Sequence, residues 1–336
     1  MSITAKELAG LLGLSPAAVS MALNNKPGVS RETRRRVLET ARQHGYDFTR
    51  LSQKQQTTGS IYFVIFKKHG AVVADTPFFS QLSDGVNEGC RSAGYKVNIR
   101  YLYDDMAPLA WEIETIGYSD CCGVILLGTE MHPADFTPFS ALPVPIVILD
   151  TYFETVPGNY VLINNVQGAY LAALHLARST GQQPGYLRSS YSIGNFEERA
   201  HGFYNAIRAC GLSTSKSVVH QLAPSIEGAY SDMQEILNRG DELARCYFAD
   251  NDLIAIGAMR ALKEHGCRIP EDVAIIGFDN ISTGQLVEPS LSTVHVPKLE
   301  LGRVAAARLI EIIEKKTSTM LKTQISTTLV LRGSAK

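Results

Sequence analysis

Apolar positions in the first 46 residues recur at helical spacing in three short blocks. From residue 60 onward they change to short apolar runs separated by longer amphipathic stretches. In the first block Thr4-Ala5-Lys6-Glu7 reads as a capping box, with Thr at the N-cap and Glu three residues on, just ahead of Leu8, Leu11 and Leu12. Gly13 stops this helix. Ser15 caps a second, with Pro16 in the first helical position, where a missing N–H costs nothing. Val19, Ala22 and Leu23 form its inward face, so Ala17, Ala18, Ser20, Met21 and Asn24 point elsewhere. Ser30 caps a third helix, predicted from about Arg31 to His44 and ended by Gly45. Two short helices joined by a tight Gly-containing turn, backed by a third, make a helix-turn-helix. Such a unit lays its second helix in the DNA major groove with its N-terminal residues at base edges.

Beyond residue 60 the pattern predicts strands at 61–66, 97–103, 123–127, 146–149, 161–163, 217–222, 245–249, 273–278 and 291–296, with a tail strand near 324–331. Helices are predicted at 79–93, 167–178, 196–210, 227–238, 253–265 and 299–313. Such alternation argues for parallel sheets covered on both faces, and ligands of such sheets sit beyond the carboxyl ends of the strands. Asp150, Asn251 with Asp252, and Asp279 each follow an apolar strand. Each alone is a common helix N-cap or turn residue. Together they suit hydrogen bonding around a polyol. Arg199 adds donors in a planar fork, and Phe78 and Phe79, just after Pro77, offer flat apolar faces or simple core packing.

Composition adds one asymmetry. Hydrophobic residues make up 45% and charged residues 19% of 336, an ordinary globular balance with room for more than one core. The net charge of −1 hides a split: residues 1–58 hold nine Lys or Arg against four acids, a net +5, and the remainder carries −6. A small basic head on a larger acidic body suits a polyanion-binding module joined to a domain of another task. The N-terminus has no basic stretch followed by an apolar core, and no apolar run nears the roughly 18 residues of a membrane span. The six cysteines lack CxxC spacing, so free thiols in a reducing cytoplasm, with no metal and no cofactor, are expected.

The run from Ile3 to Asn24, followed by Lys26-Pro27-Gly28-Val29-Ser30-Arg31-Glu32-Thr33-Arg34 and Gly45-Tyr46, resembles the head of the lactose/galactose repressor (LacI/GalR) family of bacterial transcriptional regulators. The likeness continues through Pro77-Phe78-Phe79, Asn165-Val166-Gln167-Gly168, Glu198-Arg199-Ala200-His201-Gly202, Ile269-Pro270-Glu271-Asp272-Val273 and Gly277-Phe278-Asp279, so it covers essentially the whole chain. It implies an α/β body of two periplasmic-binding-protein-like (type I) lobes with parallel sheets, preceded by a small all-α helix-turn-helix domain. The implied division is a head at 1–46, a linker at 47–59 and an effector-binding, dimerising body at 60–336. Lobe 1 would be about 60–160 and 291–320, lobe 2 about 162–289 and 322–336, with crossings near Val161, Ser290 and Leu321. DNA-facing positions carried over from the family are Thr4, Ala5, Ser15, Pro16, Ala17, Ala18, Ser20, Met21, Asn24, Ser30, Thr33, Tyr46, Leu51 and Gln55. Effector positions are Phe78, Phe79, Asp150, Arg199, Tyr230, Asn251 and Asp279.

Two departures qualify the likeness. Where relatives often carry long polar base readers and an Arg, this chain has Pro16, Ala17 and Met21, which offer contact with thymine methyls instead. The linker position where the family wedges a Leu into the minor groove is Gln55, and Leu51 lies one helical turn earlier. The implied protein is a cytoplasmic homodimer that binds double-stranded operator DNA, without membrane attachment, as a repressor answering to a sugar or related polyol. The body alone suits a solute-binding protein equally well. A cleft enzyme acting on a nucleoside or glycoside lacks support from any GxSxG, P-loop, HExxH or GxGxxG run, so no catalysis is expected. The basic head makes DNA affinity a counterion-release process, so binding should weaken steeply as salt rises. Fluorescence anisotropy across a salt series checks this, and a flat response would remove the head's charge from DNA binding.

Overall fold

The computed structural model describes residues 3–24, 28–48, 59–73, 77–105 and 108–336. Three short helices open the chain: α1 (Ala5–Leu12), α2 (Pro16–Leu23) and α3 (Arg31–Gln43). Their boundaries follow from local chemistry. The Thr4 backbone N–H donates to Glu7 Oε2 at 2.8 Å, and Glu7 returns its own N–H to Thr4 Oγ1 at 3.3 Å. Ser15 and Ser30 each accept an N–H from three residues ahead at 3.1 Å. Gly13 closes α1 in the left-handed conformation at φ 64. Leu8, Val19, Ala22, Leu23, Val37, Leu38 and Ala41 make the small core. Leu11, grouped with the inward stripe by spacing, is instead exposed, and Ala9 takes the buried place beside Leu8.

The body begins with β1 (Ser60–Lys67), α4 (Pro77–Ser92), β2 (Lys96–Tyr103), α5 (Leu109–Gly117), β3 (Cys121–Leu127), β4 (Ile146–Leu149) and β5 (Asn159–Ile163). It continues with α6 (Asn165–Thr180), β6 (Gly185–Ser189), α7 (Gly194–Ala209), β7 (Val219–Leu222), α8 (Ile226–Arg239), β8 (Cys246–Ala249), α9 (Asp252–Glu264) and β9 (Ala274–Asp279). The chain ends with α10 (Thr283–Leu286), β10 (Ser292–His295), α11 (Lys298–Lys315), β11 (Lys322–Ile325) and β12 (Thr328–Val330). One six-stranded sheet has the order β11-β5-β4-β3-β1-β2 and is parallel throughout. The other has the order β12-β10-β9-β8-β6-β7, parallel except for the antiparallel β10–β12 pair at its edge. The middle strands are buried over most of their length, as a sheet covered on both faces requires. Short α5, the four-residue α10 and a 3-10 stretch at Pro133–Ala141 were not foreseen from the pattern.

The chain passes between sheets three times, each time later than expected. It leaves the first sheet after Ile163 rather than near Val161, returns after His295 rather than near Ser290, and leaves again after Ile325 rather than near Leu321. Thus β10, which the resemblance assigned to the first lobe, pairs with β9 in the second sheet. The tail strand is really two, β11 beside β5 and β12 beside β10. The reason is that each crossing strand finishes its own ladder before the chain changes lobe. Hydrophobic pattern fixes that a strand is buried, not which sheet holds it.

Helix α11 returns to the first lobe and lies along α4, where the two backbones touch. A Cβ added at Gly302 would meet the Leu82 carbonyl and sit 2.6 Å from Val86 N, both backbone atoms of α4. Neither helix can yield without moving its neighbours, and overpacking of this kind is destabilising. Gly302→Ala should lower the unfolding free energy by about 1–3 kcal/mol, read from urea denaturation midpoints. An unchanged midpoint would mean the helices have room to separate.

Candidate functional site

Because the strands of each sheet, β12 apart, run parallel, their carboxyl ends gather on one side, and between the lobes these ends line an open cleft. Its lining comes from both lobes: Phe78, Phe79, Thr129 and Asp150 on one side, and Asn195, Phe196, Arg199, Asn251, Asp252 and Asp279 on the other. Six of the seven expected effector positions are therefore brought together.

Tyr230 is not among them. Its hydroxyl donates to Glu264 at 2.6 Å, and the Arg260 guanidinium lies 4.1 Å from its ring centre, both on α9. Only the N-terminal end of α8 follows the carboxyl end of a strand. Tyr230 lies more than a turn along, on the face that packs against α9.

Asp150 follows β4 and Asp279 ends β9, both with positive φ, at 64 and 109. Non-glycine residues seldom adopt such angles, and here they turn the carboxylates into the cleft. Asp150 accepts from Thr129 Oγ1 at 2.6 Å and from Asn195 Nδ2 at 3.0 Å. Burial pushes its pKa up to about 6, against the opposing pull of the Thr129 bond, the Arg199 charge and the Asn195 bond. Asp279 accepts from Arg199 Nη2 at 3.3 Å, and burial raises its pKa while Arg199 and Lys298 oppose the rise. Asn251 caps α9, its Oδ1 accepting the Ile254 N–H at 2.9 Å.

Arg199 was expected to offer donors in a planar fork, and three of its five N–H groups already meet protein acceptors. Nε donates to Asn165 Oδ1 at 3.0 Å, Nη1 to the Asp250 carbonyl and Nη2 to Asp279. The guanidinium carbon lies over the Phe278 ring, 3.8 Å from its centre. Arg199 thus holds Asp279 in place as part of the wall.

Asn195, Lys298 and Glu130 were missed by sequence reasoning, whereas Asp252 was singled out there beside Asn251. Asn195 links the lobes by donating to both the carbonyl and the carboxylate of Asp150. Asp252 takes the Ile281 N–H at 2.8 Å and the Thr293 hydroxyl at 2.5 Å, and burial with the nearby Asp279 pushes its pKa up to about 8. Lys298, fully enclosed at the start of α11, donates to the Val296 and Asn280 carbonyls at 3.2 and 3.3 Å and to that of Asp279, tying the first-lobe helix to the end of β9. Glu130 accepts N–H bonds from Lys68, His69, Gly70, Val72 and Val73 at 2.8–3.2 Å, fixing the loop that brings Val72 to the cavity. Burial alone would raise the Glu130 pKa, yet these backbone donors outweigh it and hold it low. The partners of Glu130 lie about 60 residues away in sequence.

In the head, Thr4, Ser15, Pro16, Ala17, Ser20, Asn24 and Ser30 are exposed, and Ala5, Ala18, Met21, Thr33 and Tyr46 are half-buried. The Asn24 amide turns back to donate to the Ser20 carbonyl at 2.7 Å. The outer surface of α2 is therefore small and weakly polar. Leu51 and Gln55 lie outside the described residues.

Two family models match the chain: bacterial regulatory proteins of the lacI family over residues 4–47, and the periplasmic binding protein-like domain over residues 174–335. The HTH-type transcriptional repressor PurR of Mannheimia succiniciproducens is 28% identical over 99% of this chain and 98% of its own length. The ribose operon repressor of Haemophilus influenzae is 26% identical, covering 98% of both chains. In structure the chain is similar to the lac repressor dimer bound to operator and the anti-inducer ONPF, with a TM-score of 0.72, 20% identity and 99% of each chain covered.

The buried acids carry a pH signature. Folded Asp252 keeps its proton to about pH 8, whereas unfolded it ionises from its ordinary value of 3.8. Between those values the folded state binds the extra proton, so this group's contribution is fully present below about pH 4 and is lost as pH rises toward 8. Asp252→Asn removes that dependence. Its stability relative to wild type should rise between pH 5 and pH 8 in paired urea titrations, and a constant difference would show Asp252 already ionised when folded.

Proposed function

Because the chain belongs to the LacI/GalR family of bacterial regulatory proteins, we propose that it is a sequence-specific DNA-binding transcriptional repressor controlled by a small molecule held between its two lobes. One observation carries this reading: a single chain joins a capped three-helix head, with α2 exposed, to a two-lobed body whose cleft is lined by Asp150 from one lobe and Asp279 from the other. Its relatives are repressors, and the reading assigns no catalytic residue.

We assign residues 1–46 to the head, 47–59 to a linker and 60–336 to the body. The exposed start of α2, with Ser15, Pro16, Ala17 and Ser20, is assigned to the major groove. Thr4, Ser30 and Tyr46 are assigned to the phosphate backbone, where helix N-termini and polar side chains make positioning contacts. With no long donor fork on α2, apolar contact with thymine methyls and DNA shape supply much of the specificity. Operator DNA places the protein in the bacterial cytoplasm.

The effector is assigned to Phe78, Phe79, Asp150, Arg199, Asn251 and Asp279. Carboxylate acceptors beside aromatic faces suit the hydroxyls and apolar faces of a sugar, in line with the ribose repressor among the relatives. An anionic ligand is served less well, since Lys298 and three of the five Arg199 N–H groups already meet protein acceptors. As the lac repressor binds its operator as a dimer, two copies of this chain are proposed to set their heads on half-sites about one helical turn, roughly 34–36 Å, apart. The effector shifts the balance of lobe orientations by no more than its differential affinity for them, typically about 1–3 kcal/mol.

A thermal-shift panel of pentoses, hexoses, disaccharides and nucleobases tests the assignment, since ligand at about 100 times its dissociation constant adds roughly 2.7 kcal/mol. With a sugar so found and an operator selected from random duplexes, Asp279→Ala should abolish the effect of the sugar on operator affinity while leaving sugar-free binding intact. A full response from this variant would remove Asp279 from the effector site.

A further inference from the structure

Helix α5 carries two stripes. Ile113 and Ile116 face inward, buried against the first sheet together with Tyr62, Val64 and Leu126. Trp111, Glu114 and Tyr118, spaced three and four residues apart, form the opposite stripe, which in a body standing alone would face water. Yet Tyr118 is only 9% exposed, because the head covers it.

The contact is specific. The Phe48 ring lies 6.0 Å from that of Tyr118 and 5.2 Å edge-on from Tyr46, and Trp111 packs against the same apolar cluster as the head's own core. Arg42, in the last turn of α3, donates through Nη1 to Tyr118 Oη at 2.8 Å and to Glu114 Oε1 at 3.0 Å, and Tyr118 Oη donates to the same Glu114 oxygen. The side chains of Arg42 and Glu114 are 68% and 47% exposed, so their pairing is screened and serves chiefly to align the surfaces. The aromatic contact holds them together.

A three-helix unit of fewer than 50 residues buries a small core, and Tyr118 and Trp111 extend it from outside. We infer that the Trp111–Glu114–Tyr118 face of α5 is a docking surface for the chain's own head, which it holds against the first lobe in the absence of DNA. Docked in this way, the head moves with the lobe, and the distance between the two heads of a dimer is set through α5 as well as through the linker. The second statement rests on the proposed DNA-binding function, whereas the first does not.

The chain has a single tryptophan, Trp111, and it sits at this junction. Acrylamide quenching of the full-length protein, with neither DNA nor effector, therefore reads docking directly. Phe48→Ser, on the head side and outside the body's cores, should red-shift the emission and raise the quenching slope about twofold, since undocked domains move freely. Unchanged far-ultraviolet circular dichroism would show that the body and head remain folded, and Tyr118→Ala, made from the body side, should give the same change. Wild-type Trp111 quenched as readily as in either variant would overturn the docking. On an operator selected with the wild-type protein, Phe48→Ser should bind about tenfold more weakly, because heads without fixed spacing lose effective concentration for the second half-site. Equal affinity combined with increased quenching would overturn the role in spacing while leaving the docking standing.

Discussion

The chain changes sheets three times, after Ile163, His295 and Ile325, and this constraint organises the rest of the body. Three neighbouring connections allow the lobes to bend relative to each other while preventing them from parting. They also oblige both parallel sheets to turn their carboxyl ends toward the same gap. A cleft lined by strand-end residues is the outcome, and side chains from distant stretches of chain meet there without any local motif. Lys298 reinforces one crossing by bonding backbone carbonyls at the end of β9 from the first turn of α11.

Within that gap the molecule tolerates an arrangement that folding alone would disfavour. Asp150, Asp250 and Asp252 are all enclosed, and burial raises the pKa of each. Two carboxylates, those of Asp150 and Asp279, stand on backbone at positive φ. Arg199 is the counterweight: stacked against Phe278, it spreads one positive charge over Asn165, the Asp250 carbonyl and Asp279. Backbone strain and buried carboxylates gathered at one place are the features of a candidate binding site.

The sequence made much of this legible, for reasons that differ by element. The head was readable because capping is local: Thr4 with Glu7, Ser15 with Pro16 and Ser30 signal helix starts within four residues. The sheet cores were readable because buried parallel strands are continuous apolar runs. The membership of β10 was not, since burial looks the same in either sheet. Tyr230 was misplaced because a position carried over from relatives does not say which face of α8 it occupies. Asn195, Lys298 and Glu130 escaped notice because their partners are remote in sequence and, in part, backbone atoms that no side-chain pattern encodes. Short α5 was overlooked for the opposite reason: its outward stripe of Trp111 and Tyr118 blurs the amphipathic period, since both its faces are covered.

The loop gathered around Glu130 has a consequence for recognition. Five backbone N–H groups converge on one carboxylate, so the protein itself anchors the segment from Lys68 to Val73. On the proposed function, a ligand entering beside Val72 meets a segment already tied down and loses little of its contact energy to ordering it. On that proposal, the same anchoring makes this wall select its guest by shape, before any hydrogen bond to the ligand is made.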